Sequence, residues 1–146
     1  MMNSDGYAGD VSPTQAWQQL SSDPSAFLVD VRTRAEWAFV GIPVLTDIGK
    51  APILLEWQIF PDMGINESFH ASLEATLKES GAGLDAMLYM LCRSGARSRS
   101  AAQTMTAAGY TRCYNVTAGF EGDLDETGKR GRVAGWKADG LSWRQG

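Results

Sequence analysis

Residues 86–92, AMLYMLC, are the most hydrophobic run in the chain and the strongest constraint on its fold. Seven residues are too few for a typical helix and carry no polar alternation. A run like this suits a strand covered on both faces, as in the middle of a parallel sheet. Such a strand demands helices above and below it. Its last residue, Cys92, is followed at once by the polar stretch RSGARSRS, so the thiol stands at a strand end.

The flanking segments supply the helices and further strands. Ser12-Pro13-Thr14-Gln15 reads as a capping box with proline at the first helical position, followed by Ala16, Trp17 and Leu20 at helical spacing. AFLVDVR, 26–32, reads as a buried strand. Thr33-Arg34-Ala35-Glu36 is a second capping box and opens a short helix carrying Trp37, stopped at Gly41-Ile42-Pro43. APILLEWQIF, 51–60, reads as another strand. Asn66 is the expected cap of a longer helix to about Ser80, with Phe69, Leu73 and Leu77 on one face. ARSRSAAQTMTAAG reads as a helix ended by Gly109, and 112–119 as the last strand. Alternating strands and helices indicate an α/β domain around a mainly parallel sheet, and sites in such sheets lie outside the carboxyl ends of the strands.

With 146 residues the chain is expected to form one domain. Residues 1–11 read as a flexible leader without a secretory signal, and 12–146 as the domain. The segment from about 119 has seven glycines in 28 residues. It reads as a wrap packed back through Trp136, Leu141 and Trp143, with GFEGDLDETG alternatively bordering the site. A net charge of −4 argues against nucleic acid as the main partner. The absence of a long apolar run argues against a membrane span. Two cysteines and no export signal point to a reduced, cytoplasmic setting. One histidine and two separated cysteines do not make a metal site.

Two readings of Cys92 compete. Buried free cysteines are common in cores. Against that reading, the residue ends a strand, a helix begins within about four residues, and Arg93, Arg97 and Arg99 surround it. These are the conditions under which a thiol becomes a thiolate nucleophile. Gly95 permits the tight backbone with which successive N–H groups form an anion nest. Cysteine phosphatases need Cys-x5-Arg; here that position is Ser98, and the arginines fall at 97 and 99.

CRSGARS at 92–98 resembles the active-site loop of rhodanese-like sulfurtransferases, Cys-Arg-x-Gly-x-Arg/Thr, and VDVRTRAEWAFVGIP at 29–43 resembles that family's upstream signature. Val40 and Val44 depart from the usual pattern. The resemblance implies a three-layer α/β/α sandwich around a mainly parallel sheet of about five strands. It implies a catalytic Cys92 that takes sulfur from thiosulfate or a persulfide donor, holds it as a persulfide, and passes it to cyanide or a thiol. Arg93, Ser94, Gly95, Ala96 and Arg97 would bind the substrate, the arginines by guiding an anionic donor. No cofactor is implied, and a sulfur-relay protein is an open partner. Two alternatives stand beside this: a sulfur-carrier or interaction module with weak turnover, and a thiol-based arsenate reductase or phosphatase. Asp30 and Arg32 read as structural braces, His70 as a surface or packing residue, Cys113 as core with a resolving role open, and Met87, Met90 and Met105 as core.

Overall fold

The computed structural model describes residues 6–145. In chain order the elements are β1 (Gly9–Val11), α1 (Pro13–Ser22), β2 (Ala26–Asp30), α2 (Arg34–Phe39), β3 (Ile42–Pro43), β4 (Ile53–Leu54), β5 (Gln58–Ile59), β6 (Gly64–Ile65), α3 (Phe69–Glu79), β7 (Met87–Leu91), α4 (Ala96–Ala107), β8 (Cys113–Val116) and β9 (Trp143–Arg144). Five strands form one sheet in the order β1-β8-β7-β2-β4, and every pairing in it is parallel. The most apolar run is the central strand, buried at every position.

Strand alternation sorts the core into two layers. Leu88, Met90 and Cys92 point to one face, where they meet Phe69, Leu73 and Leu77 of α3 and Ala101, Ala102 and Met105 of α4. Met87, Tyr89 and Leu91 point to the other, against Ala16 and Leu20 of α1 and Phe120 and Trp136 of the C-terminal segment. The three-layer α/β/α architecture around a parallel five-stranded sheet is therefore present. Among the described residues no helix is long and apolar enough to cross a membrane.

Both capping boxes form. Ser12 Oγ accepts from the Gln15 amide while Gln15 Oε1 accepts from the Ser12 amide, and Thr33 and Glu36 do the same at α2. Three expectations need correction. Of the expected flexible leader, 1–11, residues 1–5 lie outside the described residues, while Gly9–Val11 are an edge strand paired with β8 and Tyr7 before them is buried. Their alternation is too short to read, but β8 offers them an unpaired edge. The 51–60 run is not one strand. Only Ile53–Leu54 pair with β2; the Glu56 carboxylate then accepts the amides of Arg34 and Phe60, which turns the chain out into the β5–β6 hairpin. Asn66 does not cap α3 directly: its Oδ1 accepts the Ser68 amide, making a turn, and the helix starts at Phe69.

Trp136 is fully buried, its Nε1 donates to the Ser142 carbonyl, and β9 closes an antiparallel pair with β3.

Candidate active site

Cys92 lies one residue beyond β7, at the carboxyl end of the sheet, and α4 begins at Ala96. The intervening turn is made possible by Gly95, whose φ of 119° few side chains tolerate. The Gly95 amide donates to Cys92 Sγ at 3.1 Å. The amides of Arg93, Ser94, Ala96 and Arg97 donate to no described group. They lie at a helix N-terminus, where free N–H groups and the helix dipole favour negative charge.

The C-terminal segment holds this loop open from behind. Phe120 donates its amide to the Cys92 carbonyl at 2.8 Å, and Glu121 and Gly122 donate theirs to the Arg93 carbonyl at 3.0 and 3.1 Å. With both carbonyls so held, the amides that follow are left for the site. Gly119 makes the approach possible: it has φ 59°, and a Cβ there would overlap the backbone of Cys92 and Arg93. Residues 119–122 thus border the site as well as wrapping the body.

Charge is arranged in pairs. Asp30 and Arg32 are fully buried and bonded to each other, the shortest contact being 2.6 Å. Arg32 also donates to the Gly41 carbonyl and stacks over the Phe120 ring at 4.1 Å, bracing β2, α2 and the C-terminal segment together. Arg97 makes a bidentate pair with Glu36 of α2, at 2.6 and 3.0 Å. Burial works against the Glu36 charge, but the Arg97 bonds outweigh it and hold its carboxyl below the usual range. Arg97 moves the other way: burial opposes its charge, yet Glu36 first and Cys92 next raise it.

Arg97 is held by Glu36, and its charge interacts with Cys92. Arg93 is exposed, with no side-chain partner among the described residues. Ser94, Gly95 and Ala96 carry their backbone amides on the turn between Cys92 and α4. His70 is exposed on α3 with Nε2 3.9 Å from Glu74, away from the thiol. Cys113 is fully buried beside Leu88, at the opposite end of the strands, and burial pushes its thiol up to about 12.

Two contacts were not foreseen from the sequence. Ser98 Oγ lies 3.2 Å from Cys92 Sγ, and it donates to Asn115 Oδ1 at 2.6 Å. In the sequence Ser98 stands where a phosphatase needs arginine. The available signal was its place on the first turn of α4, which aims it back at the strand end.

A family model described as rhodanese-like domain matches residues 12–126. An uncharacterized protein of Rickettsia conorii, RC0915, is 39% identical over 134 residues, covering 92% of this chain and 95% of that protein. RP600, an uncharacterized protein of Rickettsia prowazekii, is 36% identical over the same shares of the two chains. Among solved structures, Rv0390 from M. tuberculosis superposes with a TM-score of 0.84 at 48% identity, covering 96% of this chain and 99% of that one. A polysulfide-sulfur transferase homodimer from Wolinella succinogenes shares the fold, with a TM-score of 0.56 at 21% identity over 96% of this chain and 79% of that one. The chain belongs to the rhodanese-like domain family.

Proposed function

We propose that this protein is a sulfurtransferase that carries a sulfane sulfur on Cys92. The observation that carries the reading is the thiol's setting: an N–H from Gly95 at 3.1 Å, unpaired amides on the neighbouring loop residues, and the start of α4 beside it. The Cys92 thiolate attacks the outer sulfur of thiosulfate or of a persulfide. A new S–S bond forms and the donor's own sulfur bond breaks, sulfite leaving with the electron pair when thiosulfate is the donor. The terminal sulfur then carries one negative charge, which the loop amides are placed to stabilise. An acceptor nucleophile, cyanide or a thiol, takes that sulfur and returns the thiolate. This two-step scheme predicts ping-pong kinetics and needs no general base.

The phosphatase or arsenate reductase reading is disfavoured by two features. Ser98, not arginine, closes the loop, and the nearest arginine is clamped by Glu36. Arg93, exposed at the rim, is the cation best placed to steer an anionic donor.

The test is intact mass after incubation with thiosulfate. The parent protein is expected to gain one sulfur atom and Cys92→Ala none, and cyanide is expected to release the sulfur as thiocyanate. Equal uptake by Cys92→Ala would refute the proposal. Uptake without thiocyanate release would favour a carrier over a turning-over enzyme.

A further inference from the structure

Polar side chains form a line from the surface to the thiol. Tyr7 Oη donates to Asp10 Oδ1 at 2.7 Å, and Asn115 Nδ2 donates to the same oxygen at 3.2 Å. Asn115 Oδ1 accepts from Ser98 Oγ at 2.6 Å, and Ser98 Oγ is 3.2 Å from Cys92 Sγ. The sheet register creates this line. Asp10 pairs with Asn115, and Asn115 with Met90, so all three point to the α4 face, as does Cys92 two residues beyond Met90. Ser98 is fully buried and Asn115 nearly so.

Ser98 has one hydroxyl proton and three acceptors around it: Asn115 Oδ1, the Gly95 carbonyl at 3.2 Å, and Sγ. An ionised Asp10 only accepts, so it draws the Asn115 amide's N–H₂ end to itself and leaves Oδ1 facing Ser98. While Sγ is uncharged, as thiol or as the inner sulfur of a persulfide, the short bond to Asn115 holds the proton. Once Sγ carries charge, a charge-assisted bond to sulfur competes for it.

Resting on the sulfur-transfer reading above, we propose that Ser98 is a catalytic hydroxyl that turns its hydrogen bond from Asn115 to Cys92 Sγ as that sulfur leaves during discharge, with Asn115, aligned by Asp10, as the positioning residue. In that step the acceptor's lone pair bonds to the terminal sulfur and the S–S bond breaks. Its electron pair stays on Sγ, and the Ser98 proton stays on Oγ. Only the hydrogen bond changes partner. The nearby charges, Arg97 with Glu36 and Arg32 with Asp30, are left unaltered by the variants below.

The test compares Ser98→Ala, Asp10→Asn and the double variant in the full chain. One readout is single-turnover thiocyanate release from sulfur-loaded protein. The other is the ultraviolet absorbance of the Cys92 thiolate at one fixed neutral pH, which needs no sulfur chemistry. Ser98→Ala is expected to slow discharge about tenfold, with the half-saturating cyanide concentration unchanged, and to lower the thiolate absorbance. Asp10→Asn lies on an exposed edge strand. It lets the amide turn and frees the Ser98 hydroxyl for Sγ, raising the absorbance and speeding discharge about twofold. In the Ser98→Ala background, Asp10→Asn is expected to change neither. A plain loss of Asp10's charge would act equally in both backgrounds, so equal effects overturn the proposal, as does a parent-like Ser98→Ala. A parent that takes up no sulfur overturns the transfer reading instead, and the absorbance series still decides whether the hydroxyl turns.

Discussion

The two cysteines are both buried and differ in almost everything else. Cys92 is 1% exposed and Cys113 0% exposed. Both face the α3 and α4 layer. Cys92 sits where the strands end, with a backbone N–H and a hydroxyl on its sulfur and a helix N-terminus beside it. Cys113 sits where the strands begin, and there burial outweighs the nearby Thr106 hydroxyl and raises its thiol to about 12. Equal burial therefore leaves room for different chemistry, decided by the polar groups around each sulfur, and at the carboxyl end of a parallel sheet such groups are available.

The sharpest way to break the contrast is to spoil the loop that distinguishes Cys92. Gly119→Ala places a Cβ against the Cys92 and Arg93 backbone at a residue with φ 59°. The loop or the C-terminal segment must move, and the amides of 120–122 lose their carbonyl partners. A loss of about 3 kcal/mol in chemical denaturation is expected, with at least a tenfold loss in sulfur loading. Gly128→Ala is the control. It has φ 82° and nothing within 4 Å of the added Cβ, so it should cost about 1 kcal/mol and leave loading unchanged. Similar losses from both would show that Gly119 matters for its backbone angle and not for the loop.

A smaller effect comes from Glu36→Gln, which releases Arg97. The pair is roughly four-fifths buried at each side chain, so loss of about 1 kcal/mol is expected at neutral pH. The folded Glu36 carboxyl lies below its usual range, so its contribution is complete above the ordinary carboxylate range and fades as pH falls through the lowered folded value. Parent and variant should therefore converge in stability toward acid. An offset that persists unchanged through the acid range would mean that the pair contributes by packing alone.

Much of the architecture was legible because it rests on local signals. Two capping boxes and an uninterrupted apolar strand are readable by eye, and they order the helices and the central strand. Cys92 and the Gly95 turn were legible for the same reason, since the candidate site lies within one loop. What escaped was set by register. Asp10 and Asn115 sit more than a hundred residues apart and meet only because β1 pairs with β8. Glu36 was visible as a capping residue, but its second task, holding Arg97 across 61 positions, depends on where α2 packs. The 51–60 run misled because its apolar content suits a strand, while Glu56 is bound by two backbone amides that bend the chain away.

The smallest effect belongs to Cys113→Ala. Its sulfur contacts the α4 face of the core, and losing it should cost about 1 kcal/mol, within the range for a small buried truncation. Its effect on sulfur transfer should be nil, for a geometric reason. Cys113 pairs with Leu88, four residues before Cys92, which at the rise of a strand is about 13 Å along the sheet. A disulfide needs the two Cα atoms within about 7 Å, so the pair cannot close without dismantling β7. The raised thiol also leaves Cys113 protonated through the neutral range, with no thiolate to attack a persulfide. Loading and thiocyanate release measured side by side on parent and Cys113→Ala should superimpose; a slowed discharge in the variant would mean that the second cysteine resolves the first and that the division between the two ends of the sheet does not hold.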